Sequence, residues 1–315
     1  MQNNQSKRLA HGAMMIALFT VLMAVVFFVP LVSIIAMFFA PLPIIWYSAT
    51  YDRKSSFLVA IIAIFVPFFI GGLFILPVSF IFAAAGVVIG DAIYNKKSKL
   101  FMFLSTSVVI LITFSIQYLI SIRLLGIDFI KESIELMRTS YKESIELATK
   151  ISGQPAPEQM LDSMNKMMDT VEMTIPASIT LGVLLVSLLL ITVNLPLLKR
   201  FKIDVPKFSQ FSELRLPRAV LWYYLIVLSI NLFVRPDVDS ALAMVMLNIS
   251  IILWVLLTIQ GISFIHFVLD AYKQPKFLKV LITIMAIPLY SFVILIGIID
   301  LGFNARGFIQ EKSQK

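Results

Sequence analysis

Apolar residues in this chain come in long unbroken blocks divided by short charged joints. They do not follow the one-sided stripes of a soluble helix or the alternation of a half-buried strand. The first block, residues 9–51, carries no formal charge, and the nearest charged residues are Lys7, Arg8, Asp52 and Arg53. A run of about 18 apolar residues already crosses the roughly 30 Å hydrocarbon layer. This block is more than twice that, with Pro30 near its middle, and it predicts two spanning helices joined by a tight turn. Further blocks follow at 56–70, ended by Gly71-Gly72, and at 75–94, ended by the basic Lys96-Lys97-Ser98-Lys99. The next is 100–125, and after a polar interval come 175–198, 219–234, 241–269 and 277–303. The expected fold is an all-α polytopic membrane protein of about nine transmembrane helices, with eight to ten in range. Pro41, Pro43, Pro67, Pro77, Pro196 and Pro288 fall inside blocks and mark expected kinks. Three regions result: a five-span region at 1–125, a polar segment at 126–174 and a four-span region at 175–315.

The polar segment has a pattern of its own. Lys131-Glu-Ser-Ile-Glu-Leu136 recurs as Lys142-Glu-Ser-Ile-Glu-Leu147, and an interval of about 11 residues fills three helical turns, so both copies face one way. Ile130, Ile134, Met137, Tyr141, Ile145 and Ala148 make an apolar stripe at helical spacing. Gly153-Gln-Pro-Ala-Pro157 breaks the helix, and Met160, Leu161, Met164, Met167, Met168 and Val171 form a second stripe. The expectation is an extracytoplasmic amphipathic helical hairpin. Thioethers suit Cu(I), but no His or Cys accompanies these methionines, which fit a packing role better.

Lys and Arg give the orientation. With the N-terminus in the cytoplasm and nine spans, the cytoplasmic joints hold Lys7, Arg8, Arg53, Lys54, Lys96, Lys97, Lys99, Lys199, Arg200 and Lys202. They also hold Lys207, Arg215, Arg218, Lys273, Lys276 and Lys279, whereas Arg235 is the lone basic residue of the short opposite joints. The tail, with Arg306, Lys312 and Lys315, fits only if Pro288 turns the last block back. The expected location is therefore the cytoplasmic (inner) membrane. Composition agrees: 59% of residues are hydrophobic, 14% are charged, and mean hydropathy is +0.94. The net charge of +8 is accounted for by these joints, so nucleic acid is not an expected partner. With no cysteine, disulfides and thiolate chemistry are excluded.

Catalytic patterns are missing. His11 and His266 are the only histidines, far from a zinc-binding spacing, and neither a phosphate-binding Gly-Lys-Ser/Thr loop nor Gly-x-Ser-x-Gly occurs. Tyr51-Asp52 and Gly90-Asp91 faintly resemble the paired carboxylates of intramembrane aspartyl proteases. However, Gly86-x-x-x-Gly90 reads better as a close-packing face. Asp91, Asp270 and Asp300 are expected near span ends within reach of water, and His266 and Asp270, four apart, can meet on one helix face. No enzyme, metal or cofactor is expected. Gln117, Tyr118, Arg123, Asn231, Arg235 and Asn248 gather toward the expected outer ends and are candidates to line an outer pocket for a small molecule.

Ala10, Ala13 and Ala17 share one face of the first helix, and small residues let a second helix approach closely in lipid. With the turn at Pro30 and the Pro41/Pro43-containing second span, Ala13-x-x-x-Ala17 resembles the S components of energy-coupling-factor vitamin transporters. That resemblance covers roughly 1–125. It implies that Ala13 and Ala17 dock on a transmembrane coupling subunit served by ATPases, while the chain itself binds substrate from outside. Over its length, including Gly297-Ile-Ile-Asp300 and Asn304-Ala-Arg306, the chain resembles the YybS-like bacterial membrane proteins. The expected function is small-molecule binding of S-component type. The alternative is a membrane scaffold or regulator that assembles with partners, or with itself, through the alanine face and the hairpin.

Overall fold

Each long apolar block is helical in the computed structural model, which describes residues 2–153, 158–206, 210–237, 240–303, 305–307 and 309. Residues 154–157, Lys207, Asn304, Lys312, Lys315 and the side chain of Leu161 lie outside the described residues. No strand occurs among the described residues. The elements are α1 (Gln2–Phe28), α2 (Pro30–Phe39), α3 (Leu42–Thr50), α4 (Arg53–Phe65), α5 (Phe68–Gly71), α6 (Ile75–Tyr94) and α7 (Lys99–Ile120). After these come α8 (Phe129–Ser152), α9 (Glu158–Arg200), α10 (Ala219–Ser229), α11 (Ala241–Ala271), α12 (Lys276–Met285) and α13 (Tyr290–Phe303). Six helical stretches are long and apolar enough to cross a bilayer, and the pair α12–α13, bent by 114°, makes a seventh if counted as one. The 219–234 block is a shorter apolar helix. Leu31 (94% exposed), Phe69 (85%) and Phe74 (83%) show what kind of surface results. So much outward apolar area suits a hydrocarbon solvent.

By internal contacts the chain forms two units, Met1–Ser144 with Thr180–Lys207, and Ile145–Ile179 with Phe208–Lys315. In the first unit, α1, α2–α3, α4, α6 and α7 run alternately up and down. Ion pairs fix this alternation: Arg8 at the start of α1 meets Asp52 at the start of α4 (3.0 Å), and Arg53 forks onto Asp91 at the end of α6 (2.6 and 2.8 Å). At the opposite end, Gln117 of α7 donates to the Pro77 carbonyl of α6 (3.1 Å). Gly86 and Gly90 press on α3 as the small-residue spacing predicts. A methyl at Gly90 would collide with Ser48 and the Ile45 carbonyl, and one at Gly86 with Ile44. Phe19, Met23, Ile44, Ile45, Phe82 and Ile89 fill the core beside Leu190, Ile191 and Leu198 of α9. The two aspartates weighed as a proteolytic pair each serve an arginine. Asp52 also caps α4, and its bonds from the Ser55 hydroxyl and N–H hold its carboxyl below the ordinary range.

The polar segment departs from the expected hairpin at its second arm. That arm and the 175–198 block are one uninterrupted 43-residue helix, α9, which passes through Pro176. At about 1.5 Å per residue it is some 65 Å long, over twice the hydrocarbon thickness. The repeat in α8 is visible in its burial: Ile134 and Ile145, the equivalent residues of the two copies, are buried, while Met137, Tyr141 and Ala148 are exposed. In the second stripe Met164 and Met168 are buried, and Met160 and Met167 are exposed.

In the second unit α13 crosses α11 where glycine meets glycine. A methyl on Gly297 would strike the Leu257 carbonyl, and one on Gly261 the Val293 carbonyl. Asp300, expected near water, is instead fully buried at this crossing. It accepts from Arg306 Nε (3.0 Å) and Gln260 Nε2 (2.5 Å). His266 and Asp270 do not pair with each other: His266 Nε2 contacts the Thr283 hydroxyl (2.9 Å), and Asp270 takes Lys279. The approach of α12 supplies both partners, which the i, i+4 spacing alone could not reveal.

Candidate functional site

The six residues expected at an outer pocket divide between the two units. In the first, Gln117 is spent on Pro77, while the Tyr118 hydroxyl donates to Asp128 (2.9 Å) and sets the turn that starts α8. Asp128 also accepts from the Lys131 N–H (3.0 Å), and this bond holds its carboxyl below the ordinary range. Arg123 is exposed on a π-helical turn after α7. None of these three is among the residues lining the cleft of the second unit.

In the second unit Asn248 is buried, and its amide addresses α9. Oδ1 accepts the Ala177 N–H (2.8 Å), and Nδ2 donates to the Met173 carbonyl (2.7 Å). Those are the two atoms of one helical hydrogen-bond step, and they flank Pro176, which has no N–H to give. Asn248 is thus a bracket between helices.

Asn231 and Arg235 do meet. A π-helical turn, Ile230–Val234, extends α10, and Arg235 ends it in the left-handed region (φ 47°). The turn and α11 enclose a cleft of about 430 Å³, lined by Met173, Asn231, Arg235, Pro236, Ala243, Leu247, Ser250 and Trp254. The volume lies within the range of small-molecule sites. Asn231 Nδ2 is 3.4 Å from the Ser250 hydroxyl, and Arg235 Nε donates to the Leu232 carbonyl (3.1 Å). A cationic fork, an amide, a hydroxyl and an indole therefore surround one space, a set that can take an anionic group beside a flat apolar body. The polar-residue count anticipated Asn231 and Arg235. It missed Ser250 and Trp254, which sit about two and three turns past Ala243 on α11 and show no signal except helical spacing.

Sequence reasoning also missed the polar lock of the second unit. Arg306 Nη1 donates to the Ser212 carbonyl (2.7 Å), and Nη2 donates to the Leu214 carbonyl (3.0 Å) and the Ser263 hydroxyl (3.1 Å). Its guanidinium lies 5.2 Å from the Phe267 ring centre. Ala10, Ala13 and Ala17, by contrast, are all exposed on α1. No group of three or more His, Cys, Asp or Glu suited to a metal occurs among the described residues.

Comparison with known proteins adds the family. The chain is 29% identical over 313 residues to the Bacillus subtilis (strain 168) protein "Uncharacterized protein YybS", covering 97% of this chain and 99% of that one. No solved structure matches. Residues 17–301 match the family described as "Predicted membrane protein (DUF2232)", and the chain belongs to that family of integral membrane proteins.

Proposed function

We propose that the chain is a multi-pass protein of the cytoplasmic membrane, with its N-terminus inside, that binds a small organic anion from the outer side without chemically altering it. The observation that carries this reading is the cleft in which Arg235, Asn231, Ser250 and Trp254 converge. The positive-inside count puts that cleft on the outer side, along with the segment 126–174. With no nucleotide-binding motif in the chain, any energy for uptake comes from separate ATPases through a coupling subunit, as in S components. The exposed Ala10, Ala13 and Ala17 supply the docking face. Native mass spectrometry of the detergent-purified protein tests the binding. A retained small molecule should be present in the parent and depleted about tenfold or more in Arg235→Gln and Trp254→Ala, as loss of a charged hydrogen bond or a ring contact implies. Identical spectra for all three proteins would remove the proposal. If Ala13→Leu with Ala17→Leu leaves every co-purified subunit in place, the docking face lies elsewhere.

The same alanine face also suits a scaffold that assembles with partners or with itself and carries no ligand. Unchanged uptake in a deletion strain, together with a stable assembly lost in the double alanine variant, would favour that second reading.

The last block is a re-entrant pair in this reading. At 10 and 14 residues, α12 and α13 each fall short of the roughly 20 needed to span. Arg306 bonds the carbonyls of Ser212 and Leu214, in the joint that carries Lys199, Arg200, Lys202, Arg215 and Arg218. The tail then shares that joint's side, and its basic residues cease to be misfits.

A further inference from the structure

A second cleft, of about 340 Å³, opens in the first unit where the start of α1 meets the corner between α3 and α4. Its wall is formed by Gln5, Lys7, Arg8, His11, Tyr51 and Asp52, with no aliphatic side chain among them. The single carboxylate is already engaged: Asp52 Oδ1 accepts from Arg8 Nη1 (3.0 Å) and the Ser55 hydroxyl (2.8 Å), and Oδ2 accepts from the Ser55 N–H (3.2 Å). Arg8 reaches Asp52 through Nη1 and is itself one of the residues lining the cleft. His11 is held in place, with Nδ1 2.6 Å from the Tyr51 hydroxyl and its ring edge-on to Trp46 at 5.5 Å. The cleft therefore presents two permanent cations, an imidazole, a phenol and an amide around one spent anion. It sits where the charge-free stretch from residue 9 begins, which is the depth of lipid headgroups if that stretch fills the hydrocarbon layer.

We propose that this cleft binds a phosphate group, presented by an anionic phospholipid headgroup or by free phosphate. Lys7 and Arg8 supply the charge, and the His11–Tyr51 pair, hydrogen-bonded to each other, supplies an orienting hydrogen bond. Basic pockets between spans at the membrane surface hold headgroups in this way, and the guanidinium fork matches phosphate oxygens. The site is independent of the outer cleft, shares no residue with it, and stands or falls by its own test.

That test uses the full chain purified in detergent, titrated with phosphatidylglycerol, phosphatidylcholine and inorganic phosphate, with bound species read by native mass spectrometry. Phosphatidylglycerol should bind in preference to phosphatidylcholine. Lys7→Gln should weaken it about fivefold, the share of one basic group at a membrane surface. His11→Gln should weaken it as well. Lys54→Gln, exposed at the same end but outside the cleft, should bind as the parent does. Arg8→Gln completes the set, and because its loss also frees Asp52, the Lys7 and His11 variants decide the matter if it fails to fold. Binding of inorganic phosphate that Lys7→Gln weakens, with no preference between the two lipids, keeps the site and assigns it to a soluble ligand. Equal phosphatidylglycerol affinity in parent, Lys7→Gln and His11→Gln would overturn the proposal, as would an equal loss in Lys54→Gln.

Discussion

At the scale of single residues, two polar side chains hold the second unit, and both act on backbone. Asn248 serves the Met173–Ala177 step beside Pro176, so Asn248→Leu leaves a carbonyl and an N–H facing an apolar side chain. An unmet buried pair of this kind costs about 1–3 kcal/mol. A lowered thermal midpoint in detergent is the expected result, and Pro176→Ala in the same background should recover part of it, because without the ring the Ala177 N–H can close on the Met173 carbonyl. Arg306 and Asp300 form the buried ion pair, and removing one partner of such a pair costs about 3–5 kcal/mol. Arg306→Gln should therefore destabilise more than Arg306→Gln combined with Asp300→Asn, in which no net charge is stranded. Equal midpoints for the single and double variants would show that the charges contribute nothing. Neither role was legible from residue type. Asn248 looked like a pocket residue because polar groups in apolar blocks attract functional readings, and Asp300 looked solvated because it falls late in its block. The partner helix that settled each case is more than 70 positions away for Asn248 and 40 for the Gln260 contact of Asp300.

Between residue and fold, three helices stop in the same manner. Lys96, Lys202 and Lys273 take left-handed backbone angles just past α6, α9 and α11. In each case the next N–H reaches back five residues, from Lys97 to Ala92, Ile203 to Leu198 and Gln274 to Leu269. This is the Schellman closure, in which glycine is the unstrained choice at the left-handed position. Lysine there costs about 1 kcal/mol of backbone strain, consistent with the charge being wanted for orientation. Lys202→Gly should raise the thermal midpoint slightly while reducing the fraction of chains inserted the right way round, measured by protease protection. A fall in both would show that the side chain also has a structural contact. Helix positions were readable from the blocks because lipid leaves no alternative to long apolar runs. The stop of α6 at Tyr94 was readable from the basic Lys96-Lys97-Ser98-Lys99 that ends its block, but the left-handed turn at these lysines carried no mark. Gly86-x-x-x-Gly90 was readable as a packing face, whereas the Gly261–Gly297 crossing, with its glycines far apart in sequence, was not.

For the whole molecule the open matter is which joints share a side. The chain has no cysteine, so single-cysteine variants labelled with a membrane-impermeant maleimide report directly. Lys202→Cys, Lys273→Cys and Ile309→Cys should react from one side, and Glu143→Cys from the other. If Ile309→Cys reacts on the Glu143 side, the final block spans and the re-entrant reading is withdrawn. The basic joints pointed to this arrangement in every place except the tail. There the proposed arrangement leans on a contact, Arg306 with the carbonyls of Ser212 and Leu214, that charge counting cannot supply.

That contact also bears on the order of synthesis. The guanidinium that fastens residues 210–216 to α11 and α13 comes after α13 in the chain, so the second unit remains unlatched until residue 306 has been translated. A message cut short before codon 306 would yield every apolar helix and still leave a carboxylate stranded in the interior. A protease would then have a loosened loop to seize.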